Sequence, residues 1–153
     1  MVVKEAKGFT LVEIIAVMAL MALIMAMAFP ALARPLDNAK LQADARQMTS
    51  LLRMARQQAI TSGQPTTVVF YPDHAKYKIK GQSAYYLKSG ITFLGRTTFT
   101  KQESLLPVCG FSAGGAPTSG GTVTLQNSSK RIYIIVNPVA GRVRISENPP
   151  AGW

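Results

Sequence analysis

The hydrophobic and polar positions of the chain follow three successive patterns. From Ile14 to Ala33 no side chain is charged or strongly polar, and at about 1.5 Å per residue this run spans roughly 30 Å as a helix. Beyond residue 37 the apolar positions recur at steps of three and four, as Leu41, Ala45, Met48, Leu52, Ala55 and Ala59. From Thr66 onward apolar and polar residues alternate. The patterns predict a membrane-length helix, an amphipathic helix and a set of β-strands.

The predicted amphipathic helix covers about residues 37–61 and is continuous, or nearly so, with the apolar helix. Asp37 and Asn38 offer capping groups at its start, and the sequence Thr-Ser-Gly-Gln-Pro at 61–65 is a strong stop signal. The alternating part predicts short strands at Thr66–Phe70, Lys76–Lys80, Ala84–Lys88, Ile91–Leu94, Thr122–Leu125, Arg131–Val136 and Val143–Ser146. Turn residues at 71–74 and 126–129 predict hairpins, and the glycine-rich stretch 110–121 predicts a mobile loop. The fold class expected is α+β, with a long N-terminal helix packed on an antiparallel β domain.

Charge is distributed unevenly along the 153 residues. The chain has a formal net charge of +10, and residues 74–153 carry ten basic and two acidic side chains, which leaves +8 in the β-rich part. Such a surface predicts affinity for something anionic: nucleic acid, a lipid surface or an acidic partner protein. The high apolar content, 48%, excludes a disordered polar chain.

The N-terminal segment has three possible interpretations: a permanent membrane anchor, a cleaved secretory signal, or a segment that is both inserted in the membrane and processed. Lys4 and Lys7 precede the apolar run, so the positive-inside rule places the first residues in the cytoplasm and the β domain outside it. The small-x-small pattern at 31–33 is acceptable to signal peptidase, which would release a secreted basic β domain. Against this, the run is longer than the roughly 7–15 residues of the apolar region of an ordinary signal peptide. Glu13 also lies at the start of the run, where a free carboxylate is costly in hydrocarbon.

The residues Lys-Gly-Phe-Thr-Leu-Val-Glu at 7–13 resemble the type IV prepilin signature. The resemblance implies a leader, residues 1–8, that prepilin peptidase removes after Gly8, and N-methylation of the new terminal residue, Phe9. The glutamate and the proline typical of the mature helix fall on Glu13 and Pro30. The implied organisation is a leader at 1–8, a transmembrane and filament-core helix at 9–35, an amphipathic helix at 36–63 and a β-rich globular domain at 64–153.

The positions of Glu13 and Pro30 in such a helix predict a physical role for each residue. A carboxylate at membrane depth needs a cation, and the freed amine of Phe9 on a neighbouring subunit would supply one, so that Glu13 sets subunit register. The simpler interpretation is a carboxylate at the headgroup boundary. Pro30 lacks a backbone donor and should kink or unwind the helix, whether or not filament packing uses the bend.

The C-terminal half is similar to the GspH/FimT family of minor pilins and pseudopilins. The similarity rests on Gly-Thr-Val-Thr-Leu at 121–125 and on Gly-Arg-Val-Arg at 141–144. It implies a structural subunit that initiates or caps a type II secretion pseudopilus or a type IV pilus in the cytoplasmic membrane, with prepilin peptidase, other pilin subunits and the membrane as partners. Some members of this group bind DNA through the Gly-Arg-x-Arg segment.

Enzyme, metal and disulfide chemistry find little support in the residues. Cys109 is the only cysteine and His74 the only histidine, so neither an intrachain disulfide nor an ordinary zinc site can be built from them. His74 lies in a predicted turn. The sequence contains neither a nucleophile-elbow motif nor a phosphate-binding-loop motif. Glu147 is the only carboxylate near the C-terminus, too few for calcium. We therefore expect no cofactor, no metal and no catalytic activity.

The basic half leaves one binding hypothesis, a nucleic-acid site. Arg142 and Arg144 are two residues apart on a predicted strand, so both side chains should share one face, with Val143 turned to the core. Lys130 and Arg131, and the alternating lysines at 76, 78 and 80, could extend a positive track. The alternative is that these side chains only keep a strand edge soluble.

Overall fold

A computed structural model describes residues 8–95 and 97–150, and for residues 28–33 the backbone alone. The chain divides into two units, one ending at Leu36 and the other beginning at Asp37. Residues 1–7 of the expected leader lie outside the described part, as do the side chain of Pro30 and the small-x-small side chains at 31–33.

One helix, α1 (Leu11–Ser62), forms the first part of the chain. The backbone N–H of Glu13 donates to the hydroxyl of Thr10 at 3.3 Å and to its carbonyl at 3.1 Å, so Thr10 caps the first turn. The helix ends where Gly63 adopts a left-handed φ of 65°. The helix does not restart at residue 37, so the expected cap at Asp37 and Asn38 is wrong: Asp37 pairs with Lys40 at 2.9 Å instead.

The unit that ends at Leu36 consists of the first half of α1, and its described side chains lie on the surface. Every large apolar side chain from Phe9 to Met27 is at least 50% exposed. Within the described residues, no helix has a stretch long and apolar enough for a membrane crossing.

The second unit adds nine strands to the helix. They are β1 (Thr66–Tyr71), β2 (Lys76–Ile79), β3 (Tyr85–Tyr86), β4 (Thr92–Phe93), β5 (Gln102–Glu103), β6 (Leu106–Phe111), β7 (Gly121–Gln126), β8 (Arg131–Val136) and β9 (Val143–Ser146). They form a five-stranded sheet in the order β3-β2-β1-β6-β5 and a four-stranded sheet in the order β4-β7-β8-β9, both antiparallel. The expected α+β class, a helix packed on antiparallel sheets, is confirmed.

A single core holds this unit together. The predicted stripe of α1 is confirmed, because Leu41, Ala45, Met48, Leu52, Ala55 and Ala59 are each 0% exposed. They pack with the inward side chains of both sheets, Val68 and Phe70 from β1 and Ile132 and Ile134 from β8 among them. Burial of this many side chains, each contributing about 1.5 to 3 kcal/mol, supplies the stability of the unit.

The stretch 110–121 differs from the predicted mobile loop. Gly110 and Phe111 end strand β6, and Gly121 begins β7. Between them the backbone is fixed by hydrogen bonds, from Ser112 N–H to the Ala116 carbonyl and from Thr118 N–H to the Gly110 carbonyl, both 2.8 Å. The glycine at 110 allows close packing, since a Cβ there would lie 2.8 Å from the Thr118 hydroxyl.

Candidate assembly site and basic surfaces

The N-terminal candidate residues lie at the start of α1. Phe9 is 81% exposed, and Gly8 has open space around its Cα. Glu13 occupies the first helical turn, where a carboxylate interacts favourably with the helix dipole. Thr10 and Glu13 have the Ser/Thr-x-x-Glu spacing of a capping box, a signal from which the role of Thr10 could have been predicted. Glu13 thus has a local structural role beside the intermolecular one expected for it.

The two arginines of the Gly-Arg-Val-Arg segment share a face of the four-stranded sheet. Ile135 pairs with Arg144 and Val136 with Val143, and the Asn137 N–H donates to the Arg142 carbonyl at 3.0 Å, which continues the ladder. Arg142 and Arg144 are exposed, whereas Val143 between them is 3% exposed. Within the described residues no carboxylate forms an ion pair with either guanidinium.

Lys130 and Arg131 are at the other end of the same two strands. Lys130 donates to the Glu147 carboxylate at 2.6 Å, so its charge is locally balanced. Arg131 is exposed at the start of β8, four residues before Ile135, the partner of Arg144. At about 3.3 Å per residue this places Arg131 roughly 13 Å along the strand from Arg144. The four candidate cations therefore form a spaced row rather than a cluster.

The alternating lysines do not extend that row. Lys76, Lys78 and Lys80 lie on or beside β2, in the five-stranded sheet, whereas the arginines are in the four-stranded sheet. The ammonium groups of Lys76 and Lys78 are 5.0 Å and 5.8 Å from the centroid of the Tyr71 ring. The basic half of the sequence is thus divided between two surfaces. His74 is exposed at the end of a short 3-10 helix, Pro72–His74.

An arginine of α1 is bonded to the edge of the four-stranded sheet. The guanidinium of Arg53 donates to the carbonyl of Val143 at 3.0 Å. Val143 pairs with Val136 directly beside the hydrogen-bonded pair of Asn137 and Arg142, and because such pairs alternate along an antiparallel ladder, the Val143 carbonyl faces away from β8. Arg53 therefore satisfies an acceptor at an otherwise open strand edge.

Two buried ionisable groups stay protonated at neutral pH. Burial raises the pKa of the Cys109 thiol to about 12, so this cysteine is a weak nucleophile. Burial, and to a smaller extent the charge of Asp44 and the neighbouring Tyr85, raises the pKa of Tyr77. In the part of the chain that the structure describes, no group of histidine, cysteine or acidic residues is arranged to hold a metal.

Asp44 is a polar residue that sequence reasoning missed. It is 1% exposed on the buried stripe of α1, and its Oδ2 accepts the backbone N–H of Lys88 at 2.7 Å. Its Oδ1 is buried and has no hydrogen-bond partner among the described residues. The carboxylate fastens the segment after β3 to the helix. The sequence does hold a signal for this role, because Asp44 is a charged residue beside the apolar positions of an amphipathic helix.

The fold belongs to the class of minor pseudopilins and pilins. The minor pseudopilin EpsH of Vibrio cholerae has a TM-score of 0.58 at 14% identity, over 71% of this chain and 97% of that one. The minor pilin FimU of Pseudomonas aeruginosa has a TM-score of 0.54 at 15% identity, over 73% and 90%. At such identities the likeness concerns the fold alone.

The family follows from sequence comparison. Residues 44–141 match the family described as type II transport protein GspH, and residues 4–29 match the prokaryotic N-terminal methylation motif. The type II secretion system protein H of Xanthomonas campestris pv. campestris is 29% identical over 144 residues, which cover 92% of this chain and 83% of that protein. Because the match to the GspH family, residues 44–141, covers more than half of this chain, the chain belongs to that family. The prediction of a minor pilin or pseudopilin is thereby confirmed.

Proposed function

We propose that this chain is a minor pseudopilin that initiates or caps a type II secretion pseudopilus, or the corresponding minor subunit of a type IV pilus. Its role is structural, and its partners are prepilin peptidase, other subunits and the membrane. One observation carries the proposal: the first half of α1 is apolar and exposed, directly after the Gly8-Phe9 junction. A continuous apolar surface of this kind needs lipid or other helices to cover it.

The proposed topology is a single pass through the cytoplasmic membrane. Lys4 and Lys7 keep the leader on the cytoplasmic side, within reach of prepilin peptidase, and the unit from Asp37 onward lies outside the cytoplasm. After cleavage, the amine of Phe9 pairs with Glu13 of a neighbouring subunit. In this arrangement the subunit can leave the lipid for the filament without an unmatched buried carboxylate.

N-terminal sequencing and mass measurement of the mature protein test the processing step. We expect a chain that begins at Phe9 and carries one methyl group on its amine. A chain that begins at Arg34 would mean cleavage by signal peptidase after residue 33, which would refute both anchoring and assembly. An uncleaved chain that still begins at Met1 would refute the assignment of Gly8 as the cleavage site.

The role of Glu13 is tested by three variants with different consequences. Glu13→Gln keeps a group that can serve in the capping box but removes the charge, and Thr10→Ala removes the cap but keeps the charge. If Glu13 pairs with a neighbour's amine, Glu13→Gln and Glu13→Ala should both be cleaved normally yet fail to enter filaments, since a lost buried ion pair costs about 3 to 5 kcal/mol. Thr10→Ala should still enter. The reverse result would assign Glu13 to the helix start alone.

A second candidate function is DNA binding by Arg142 and Arg144, whose exposed guanidinium groups form no ion pair within the part of the chain that the structure describes. The full chain in detergent micelles would bind duplex DNA, and the logarithm of affinity would fall linearly with the logarithm of salt, by about 0.9 per neutralised phosphate. Arg142→Gln with Arg144→Gln should reduce that slope by up to about two units. The control Lys88→Gln with Lys101→Gln removes the same charge elsewhere. Equal losses in both double variants would indicate a diffuse positive surface and contradict a site.

A further inference from the structure

The hairpin between β5 and β6 presents an apolar side chain in an unfavourable backbone conformation. Its two turn residues, Ser104 and Leu105, have φ of 53° and 68°. Two-residue turns with both φ positive strongly favour asparagine and glycine, and a branched apolar side chain is unusual there. Leu105 is nevertheless 90% exposed, so its side chain gains almost no packing within the unit. An exposed leucine held in a strained turn points to a contact outside the unit.

A groove lies beside this turn on the outer face of the five-stranded sheet. It has a volume of about 220 Å³, and Ser104 lies at its end. Val69, Tyr71 and Leu106 supply its apolar lining, and Lys78, Lys80 and Glu103 its charged lining. We call this surface the lysine groove, and we include Leu105 and also Lys76, whose ammonium group lies over the ring of the lining residue Tyr71. Leu105 does not line the groove itself, but it stands in the chain between Ser104 and Leu106, both of which do.

The charge of the lysine groove is only partly balanced. Lys80 forms an ion pair with Glu103. Lys76 and Lys78, in contrast, have no carboxylate within 4.0 Å among the described residues, and both ammonium groups lie over the Tyr71 ring. The ring holds two unpaired cations on the same side of the sheet. The surface is therefore complementary to carboxylates.

The combination of an apolar lining and unpaired ammonium groups decides between partner classes. Bases would need free aromatic faces to stack on, and lysines already lie over Tyr71. The exposed leucine and the apolar lining offer nothing to a phosphate backbone. A second copy of this chain would add its own charge of +10 to an already basic surface. A different protein with an acidic, partly apolar segment fits all of these features.

We propose that the lysine groove binds a segment of alternating acidic and apolar side chains from another protein of the same assembly, with Leu105 inserted into an apolar pocket of that partner. This deepens the proposed function, since it gives the globular unit its own contact beside the one made by α1. The carboxylates of the segment pair with Lys76 and Lys78, and its apolar side chains cover Val69 and Leu106. Such central apolar contacts ringed by charges are typical of protein interfaces.

The test uses the full chain in detergent micelles and a short fluorescein-labelled peptide of alternating glutamate and leucine, followed by fluorescence anisotropy. Leu105→Asn is the informative variant, because asparagine tolerates positive φ and the hairpin should keep or gain stability. We expect it to weaken peptide binding about tenfold, the effect of one interface anchor. The control Val139→Asn changes a different exposed apolar side chain, a valine that is 85% exposed, and should leave binding within about twofold.

A second pair of variants tests the charge. Lys78→Gln should weaken binding and reduce its salt dependence, whereas Lys88→Gln, an exposed lysine outside the groove, should do neither. A peptide of alternating lysine and leucine should not bind. Absence of binding by the acidic peptide, or binding unchanged in both Leu105→Asn and Lys78→Gln, would overturn the proposal. Displacement of the peptide by a single-stranded oligonucleotide, with Leu105→Asn unaffected, would assign the surface to nucleic acid instead.

The two proposals fail in different ways. Peptide binding needs neither cleavage at Gly8 nor a filament, so it can be lost while processing remains normal. Conversely, a chain that is cleaved after residue 33 would refute the assembly role and leave the peptide measurement intact. The readouts are the N-terminal residue for one and the anisotropy for the other.

Discussion

The two halves of helix α1 use apolar side chains in opposite ways. Leu20, in the first half, is 62% exposed, and Leu52, in the second half, is 0% exposed, although both are helical leucines in one uninterrupted element. In the second half the apolar residues form a stripe that the sheets of the same chain cover. In the first half they surround the helix, and the unit to which they belong has no sheet to cover them. Continuous apolarity thus indicates a partner outside the chain, whereas periodic apolarity indicates one inside it.

The same distinction separates the charged groups of the two regions. The backbone N–H of Glu13 donates to Thr10, but among the described residues the Glu13 carboxylate has neither a hydrogen-bond donor nor a cation beside it. Asp44 is buried and bonded to the backbone of its own unit. Among the described residues, the carboxylate of Asp44 has a hydrogen-bond donor and that of Glu13 has none. This difference distinguishes a carboxylate used in folding from one that is available for assembly.

The largest expected effect compares the two leucines directly. Leu52→Ala removes a fully buried side chain and leaves a cavity, so it should lower the free energy of unfolding by about 3 kcal/mol. Leu20→Ala should change that free energy by less than about 0.5 kcal/mol, since its side chain is not in the core. Denaturant unfolding of the full chain in micelles, followed by circular dichroism, measures both. Equal losses would contradict the division of α1 into two functions.

Asp44 gives the next largest effect. Asp44→Ala leaves the Lys88 N–H without its acceptor and should cost about 2 kcal/mol. Asp44→Asn keeps an acceptor oxygen and adds donors near the buried site of Oδ1, so its cost should be clearly smaller. The same unfolding measurement decides. If the alanine variant were as stable as the asparagine variant, the hydrogen bond would contribute nothing to the fold.

Much of this architecture follows from the sequence, and the exceptions have physical causes. The stripe of α1 and the strand at Arg131–Val136 have clear periods, and both are present. Strand β6 was missed, because Leu106–Phe111 contains a proline and a glycine and is buried on both faces, so it shows no alternation. The glycines at 110 and 121 indicate close packing within strands rather than mobility. Single-sequence patterns do not distinguish these two uses of glycine.

The candidate sites were predictable in position but not in environment. That Arg142 and Arg144 share a face follows from strand geometry. That the lysines of β2 lie on a different sheet from these arginines depends on long-range pairing, which a period of two does not encode. The strained turn at Leu105 also depends on the unpredicted hairpin of β5 and β6, and the roles assigned to Gly8, Phe9, Glu13 and Pro30 stay predictions.

Alkaline pH should destabilise the second region through Cys109. The pKa of the thiol is 9.0 in the unfolded chain and about 12 in the folded chain. Between these two pH values the folded chain therefore keeps a proton that the unfolded chain has lost. The contribution of this group to stability is then complete below about pH 9 and falls as the pH rises, by roughly 1 kcal/mol at pH 10. Tyr77 adds to the loss because its pKa is also raised. Cys109→Ala should flatten the profile of unfolding free energy against pH, and an unchanged slope would contradict the assignment.

The smallest effect separates an arginine used for folding from arginines left for a partner. Arg53→Gln removes the donor to the Val143 carbonyl and should cost about 1 kcal/mol, the usual net value of one hydrogen bond. Arg142→Gln with Arg144→Gln should cost less than about 0.5 kcal/mol, because both side chains are exposed and neither makes an ion pair within the described residues. Thermal unfolding of the three proteins provides the measurement. A double variant less stable than Arg53→Gln would mean that the Gly-Arg-Val-Arg segment serves the edge of its own sheet, whereas unchanged stability leaves both guanidinium groups free for an anionic partner.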